Sequence, residues 1–106
     1  MRINGSIEVT EGAIAEFCRK WKITELALFG SVLREDFGPE SDVDVLVTFE
    51  DGARWDLFDV VDIQEELEVL FRRKVDLAER SAVEQNPNYI RRRSILKSAQ
   101  TVYAAG

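Results

Sequence analysis

From Asp42 to Glu50 the chain reads Asp-Val-Asp-Val-Leu-Val-Thr-Phe-Glu, an acid-valine alternation that runs into an apolar stretch. Successive side chains of a strand point to opposite faces, so Val43, Val45 and Val47 share one face while Asp42 and Asp44 share the other. The valine face has to be covered by another layer. With 106 residues the chain can build one modest core, burying roughly 65% of the surface its unfolded form exposes. That leaves little room for a separate substrate-recognition unit, and a single domain over residues 1–106 is expected.

The remaining elements follow from spacing and punctuation. Ile14, Phe17, Cys18 and Trp21 recur at helical intervals behind the N-cap candidate Thr10, which predicts a helix at about 11–21. Residues 25–29 form a short apolar run ending at Gly30, which suits a buried strand; Ser31 to Asp36 predicts a short helix, broken by Phe37-Gly38-Pro39-Glu40. Asp56 with Asp59 predicts the capped start of a helix whose apolar positions are Val60, Ile63, Leu67, Leu70 and Phe71, ending near Arg72 with Arg72 and Arg73 at its negative pole. Val75-Asp76-Leu77 reads as another strand, Ser81 with Glu84 as a capping box, residues 88–98 as a helix after Asn86-Pro87, and Val102-Tyr103 as an edge strand. The order implies an α+β (two-layer α/β) fold, a small mixed β-sheet with helices packed mainly on one face.

Charge excludes some functions and localises others. The overall charge is −6, which argues against nonspecific attraction to nucleic acid. Residues 72–97 nevertheless hold eight basic side chains against three acidic ones, a net +5 that leaves −11 for the rest. The single Cys18 cannot form an internal disulfide, and no signal-like segment or membrane-length apolar run is present, so a reducing cytoplasmic setting is expected without membrane insertion. Arg91, Arg92 and Arg93 lie about 100° apart on a helix and cannot all serve one ligand. Their readings are a solvated face, a triphosphate contact or a docking patch. Trp55 and Phe58 are either core or a partner-binding patch.

The chemistry concentrates around the alternating strand. Asp42 and Asp44 project side by side, an arrangement that either calls for a cation or simply faces water. Gly30-Ser31 stands at a strand-to-helix junction, where a missing side chain, free backbone N–H groups and a hydroxyl can seat a phosphate. Asp76 offers a third carboxylate. Arg34 lies one turn beyond Ser31 and is either a phosphate partner or a helix-surface charge.

Gly30-Ser31-Val32-Leu33-Arg34 followed by Ser41-Asp42-Val43-Asp44-Val45-Leu46-Val47 resembles the Gly-Ser, ten-residue spacer, Asp-x-Asp signature of the DNA polymerase beta-like nucleotidyltransferase superfamily. In length and over roughly residues 11–103 the chain is similar to the minimal nucleotidyltransferases, the MntA-type antitoxins paired with HEPN-domain toxins, and Lys74-Val75-Asp76-Leu77 matches their third-carboxylate strand. The resemblance implies two Mg²⁺ ions held by Asp42, Asp44 and Asp76, which are also the catalytic residues, with the β and γ phosphates of ATP seated on Gly30 and Ser31 and Arg34 assisting. Hard Mg²⁺ suits carboxylate oxygens, and a chain without His is poorly equipped for a transition metal.

The same resemblance implies transfer of AMP from ATP to a protein hydroxyl, a tyrosine of the cognate HEPN toxin, by the antitoxin of a type VII-like toxin–antitoxin pair. A hetero-oligomer with the toxin follows, with no direct nucleic-acid or membrane partner. Two alternatives stand beside it: neutralisation of the toxin by binding alone, and transfer to a small-molecule acceptor.

Overall fold

A single hydroxyl, that of Thr10, opens the first helix of the computed structural model, which describes residues 2–4, 7–33, 38 and 41–105. Two short strands, β1 (Arg2–Asn4) and β2 (Ile7–Glu8), pair antiparallel and lead into α1 (Glu11–Lys20). Thr10 caps α1 by accepting from the Ala13 N–H at 3.1 Å, and Ile14, Phe17 and Cys18 are buried as their spacing requires. After a left-handed Lys22 (φ 57°) the chain enters β3 (Ile23–Phe29), then a 3-10 turn over Gly30–Leu33. There follow β4 (Val43–Phe49), α2 (Leu57–Phe71), β5 (Val75–Glu79), α3 (Arg80–Glu84), α4 (Tyr89–Ser98) and β6 (Gln100–Ala104).

The main sheet has the order β5-β4-β3-β6, with β4 and β5 parallel and the other neighbours antiparallel. Strand β4 is therefore internal, which accounts for its near-continuous apolar run after Asp44. Val43, Val45 and Val47 face the larger core with Ile14, Phe17 and Cys18 of α1 and Ile63, Leu67 and Phe71 of α2. Leu46, between the valines, points the other way and joins Ala27, Phe29, Val83 of α3 and Ile95 of α4 in a smaller core. The mixed α+β sheet is thus covered chiefly by α1 and α2, with α3 and α4 closing part of the opposite face.

Local chemistry explains most boundaries. Asp56 accepts from the Asp59 N–H at 2.8 Å while Asp59 Oδ2 accepts from the Asp56 N–H at 3.1 Å, the expected reciprocal cap. Trp21 and Lys20 both donate to the Glu66 carboxylate, tying the end of α1 to α2, and Trp21 meets Trp55 edge-on with ring centroids 5.3 Å apart. Burial pushes the Cys18 thiol up to about 12, against a smaller opposing pull from Arg19, so this thiol is a packing group rather than a nucleophile. No helix among the described residues is long and apolar enough to cross a membrane.

Several expectations change in the structure. The strand expected at 25–29 begins at Ile23, because the left-handed Lys22 reverses the chain early enough for Ile23 to pair with Phe49. Over Gly30–Leu33 the helix expected from Ser31 is a 3-10 turn, and Arg34 with the rest of that expected helix lies outside the described residues. Arg72 is not in the last turn of α2 but follows it as a left-handed cap (φ 55°), and Arg73 reaches back to the carbonyls of Gly38 and Ser41, bracing the entry to β4. Ser81 caps nothing; its hydroxyl donates at 2.7 Å to Oε1 of Glu79, the last residue of β5, while α4 is capped by Asn88. Val60 is more than one-third exposed, and Phe58 is 80% exposed whereas Trp55 packs against the core.

Two measurements check this account. Replacing Asp56 by Ala removes half of the α2 cap and is expected to lower stability by about 1 kcal/mol in urea unfolding, with Asp56→Ser restoring most of it. Burial raises the Glu66 carboxyl, but the Lys20 and Trp21 hydrogen bonds and the Lys20 charge together outweigh it, leaving the group below the ordinary glutamate range. A depressed folded-state pKa contributes stability above the unfolded value that is lost as pH falls through the folded one. Wild type should accordingly lose its advantage over Glu66→Gln as urea unfolding is repeated from neutral pH to below ~4.

Candidate active site

Because β4 and β5 run parallel, residues at the same register stand side by side, and the pairing places Asp44 next to Asp76 directly after the Val43–Val75 pair. Both belong to the face that carries Leu46 rather than the valines. On the opposite flank of β4, Phe29 pairs with Asp44, so the end of β3 and the Gly30 corner arrive at the same place. These elements and α4 enclose an open cleft of about 700 Å³, lined by Gly30, Leu33, Asp44 and Asp76 from the sheet side and by the cap Asn88 with Ile90, Arg91 and Ser94 from α4.

Gly30 has a stereochemical reason to be glycine. Its φ of +75° lies in the left-handed region, and a Cβ built there would overlap Asp44 Oδ2 and stand 3.2 Å from Asp44 Cγ. The strand end thus comes against the carboxylate itself. Ser31 follows in the 3-10 turn, half-buried, and is not among the cleft's walls. Asp42 is exposed, one residue before the first β4–β5 pair, and also stands outside the walls.

Register and cleft thus bring Asp44 and Asp76 together, while Asp42 lies one residue ahead of the first β4–β5 pair. Among the described residues no three His, Cys, Asp or Glu side chains gather closely enough to form a ready metal cage. Two carboxylates over a solvent-open cleft still fit a hard divalent cation, since Mg²⁺ is usually bound by one or two carboxylates with water and substrate phosphates completing an octahedron.

The α4 wall was legible in the sequence only in part, as the triphosphate-contact reading of its arginines. Its available signal was the Arg91-Arg92-Arg93 run, whose helical phase requires the three to diverge. Which of them would face the acids depends on how α4 docks, through Ile95, onto the smaller core.

Substitution at two glycines separates backbone strain from crowding. Gly52 also has a positive φ (+85°), but a Cβ there meets nothing within 4 Å. Gly52→Ala should cost about 1 kcal/mol through strain alone, whereas Gly30→Ala adds the overlap with Asp44 and should cost measurably more in paired chemical-denaturation curves. Equal losses would refute the close approach.

Comparison with known proteins bears on family and fold. A family model described as a nucleotidyltransferase domain matches residues 11–101. The protein adenylyltransferase MntA of Thermococcus cleftensis is 34% identical over 68 residues, covering 64% of this chain and 67% of that protein. A solved structure of the minimal nucleotidyltransferase type, 29% identical, covers 85% of this chain and 86% of its own with a TM-score of 0.65. A toxin–antitoxin structure with AMP-PNP shares the fold at 18% identity, covering 92% of this chain and 75% of its own, with a TM-score of 0.67. A tri-AMPylated Shewanella oneidensis HEPN toxin in complex with MNT antitoxin is similar at 18% identity, with coverage of 90% and 70% and a TM-score of 0.56. With a family match over most of its length and a fold to go with it, the chain belongs to the nucleotidyltransferase domain family.

Proposed function

We propose that this chain is a Mg²⁺-dependent protein adenylyltransferase, a single minimal domain that moves AMP from ATP to a tyrosine hydroxyl of a cognate HEPN toxin and so acts as its antitoxin in the cytoplasm. The observation that carries the reading is the register pairing of Asp44 with Asp76 against the Gly30 corner in one open cleft. The relatives named as a protein adenylyltransferase and as an antitoxin bound to an AMPylated toxin support the choice of acceptor.

In this reading Asp44 and Asp76 hold the cations, and Asp42 joins them from the strand entry as a third ligand. When bound, two divalent ions would offset the charge on the phosphates and stabilise the entering and leaving oxygens of an in-line displacement. Gly30 admits the phosphate chain close to the backbone, and the Ser31 hydroxyl serves as a donor to it. Arg34, outside the described residues, is the further candidate for assisting the phosphates. In the proposed reaction Asp76, which is exposed on the outer strand, accepts or orients the proton of the attacking hydroxyl. The acceptor's own protein surface supplies positioning, a large part of such catalysis.

The test is incubation of the purified chain with labelled ATP, Mg²⁺ and the toxin encoded beside it. The expected result is a toxin heavier by whole AMP groups, with Asp44→Ala and Asp76→Ala each lowering transfer by orders of magnitude while circular dichroism stays unchanged. Toxin inhibition with no covalent mark, equal in both variants, would instead establish neutralisation by binding.

A further inference from the structure

The reaction just described leaves three consecutive arginines without a role, and α4 sorts them by direction. Arg92 Nη1 donates to the Asn86 carbonyl at 3.0 Å, and its guanidinium lies 5.3 Å from the Tyr89 ring centroid. Arg93 Nη1 reaches the Tyr89 hydroxyl at 3.4 Å. Arg91 is different. Its backbone N–H is held by Asn88 Oδ1 at 3.1 Å in the first turn of α4, and its side chain walls the cleft that holds Asp44 and Asp76. Among the described residues it is the one basic side chain in that wall, and its guanidinium has no hydrogen-bond or ion-pair partner there.

We propose that Arg91 is the chain's own cation for the β and γ phosphates of the bound nucleotide, a substrate-binding residue supplied by α4 across the cleft from the acids. The role rests on the nucleotidyltransferase reading above. Two carboxylates on one wall repel a polyphosphate, and an opposing positive charge at the other wall reduces that repulsion. A guanidinium suits the task because its planar fork can pair with two phosphate oxygens at once. It is also uncommitted: an arginine already paired with Asp44 or Asp76 would have to break that pair before meeting a phosphate. Arg92 and Arg93 are both engaged on other sides of α4, so the proposal singles out one of three neighbouring, chemically identical residues.

The experiment is calorimetric titration of the full chain with AMP-PNP and, separately, AMP, each with MgCl₂, for wild type, Arg91→Ala, Arg91→Lys and Arg93→Ala. Arg91→Ala should weaken AMP-PNP binding about tenfold, the low end for a charge-assisted hydrogen bond in an open site, with a smaller loss for AMP. Arg91→Lys should fall between, and Arg93→Ala should bind as wild type does. In transfer assays Arg91→Ala should raise the KM for ATP more than it lowers kcat. Unchanged affinity in Arg91→Ala, an equal loss for AMP, or an equal loss in Arg93→Ala would overturn the role. A wild type that binds neither nucleotide would overturn the nucleotidyltransferase reading itself, and the role with it.

Discussion

The parallel pairing of β4 with β5 is the constraint on which the rest of the molecule depends. It makes β4 an internal strand, apolar on both faces once past Asp44, with valines toward α1 and α2 and Leu46 toward α3 and α4. Carboxylates are tolerated only where such a strand emerges, because deeper burial of an unpaired charge would cost several kcal/mol. Parallel direction then brings the matching end of β5 to the same place. The acids of the site are adjacent because the two strands enter the sheet from the same side.

The opposite wall has a different origin. Helix α4 is anchored by Ile95 in the smaller core and started by the Asn88 cap, and these two points set which of its side chains look across the cleft. The chain's charge asymmetry takes on spatial meaning here: the acidic strand ends and the basic last helix stand on opposite sides of one opening. Bracing comes from outside the cleft, where Arg73 holds the carbonyls of Gly38 and Ser41 ahead of β4 and Arg80 pairs with Glu25 at 2.8 Å.

Readings that depended on near neighbours in the chain held well. Thr10 and Asp56 cap their helices as their spacing indicates, and the valine alternation places a strand correctly, because each involves groups within a few residues of one another. Readings that needed a distant partner fared less evenly. Ser81 and Glu84 have the capping-box spacing, yet Ser81 bonds to Glu79 because α3 starts directly after β5 with no loop to cap. The β1–β2 pair carried no alternation long enough to detect. Phe58 has the composition of a core residue but sits on the side of α2 turned away from the sheet.

The amino-acid sequence by itself determined most of the longer strands and helices, the Gly-Ser and Asp-x-Asp motifs and the family they indicate, since those follow from local periodicity, capping and spacing. Tertiary structure alone decided that Asp76 stands beside Asp44 while Asp42 remains outside the cleft wall, and that Arg91 rather than Arg92 or Arg93 faces them. Those relations are set by strand register and by how a helix rotates onto its core. Both are fixed by contacts between segments tens of residues apart, which no local pattern encodes.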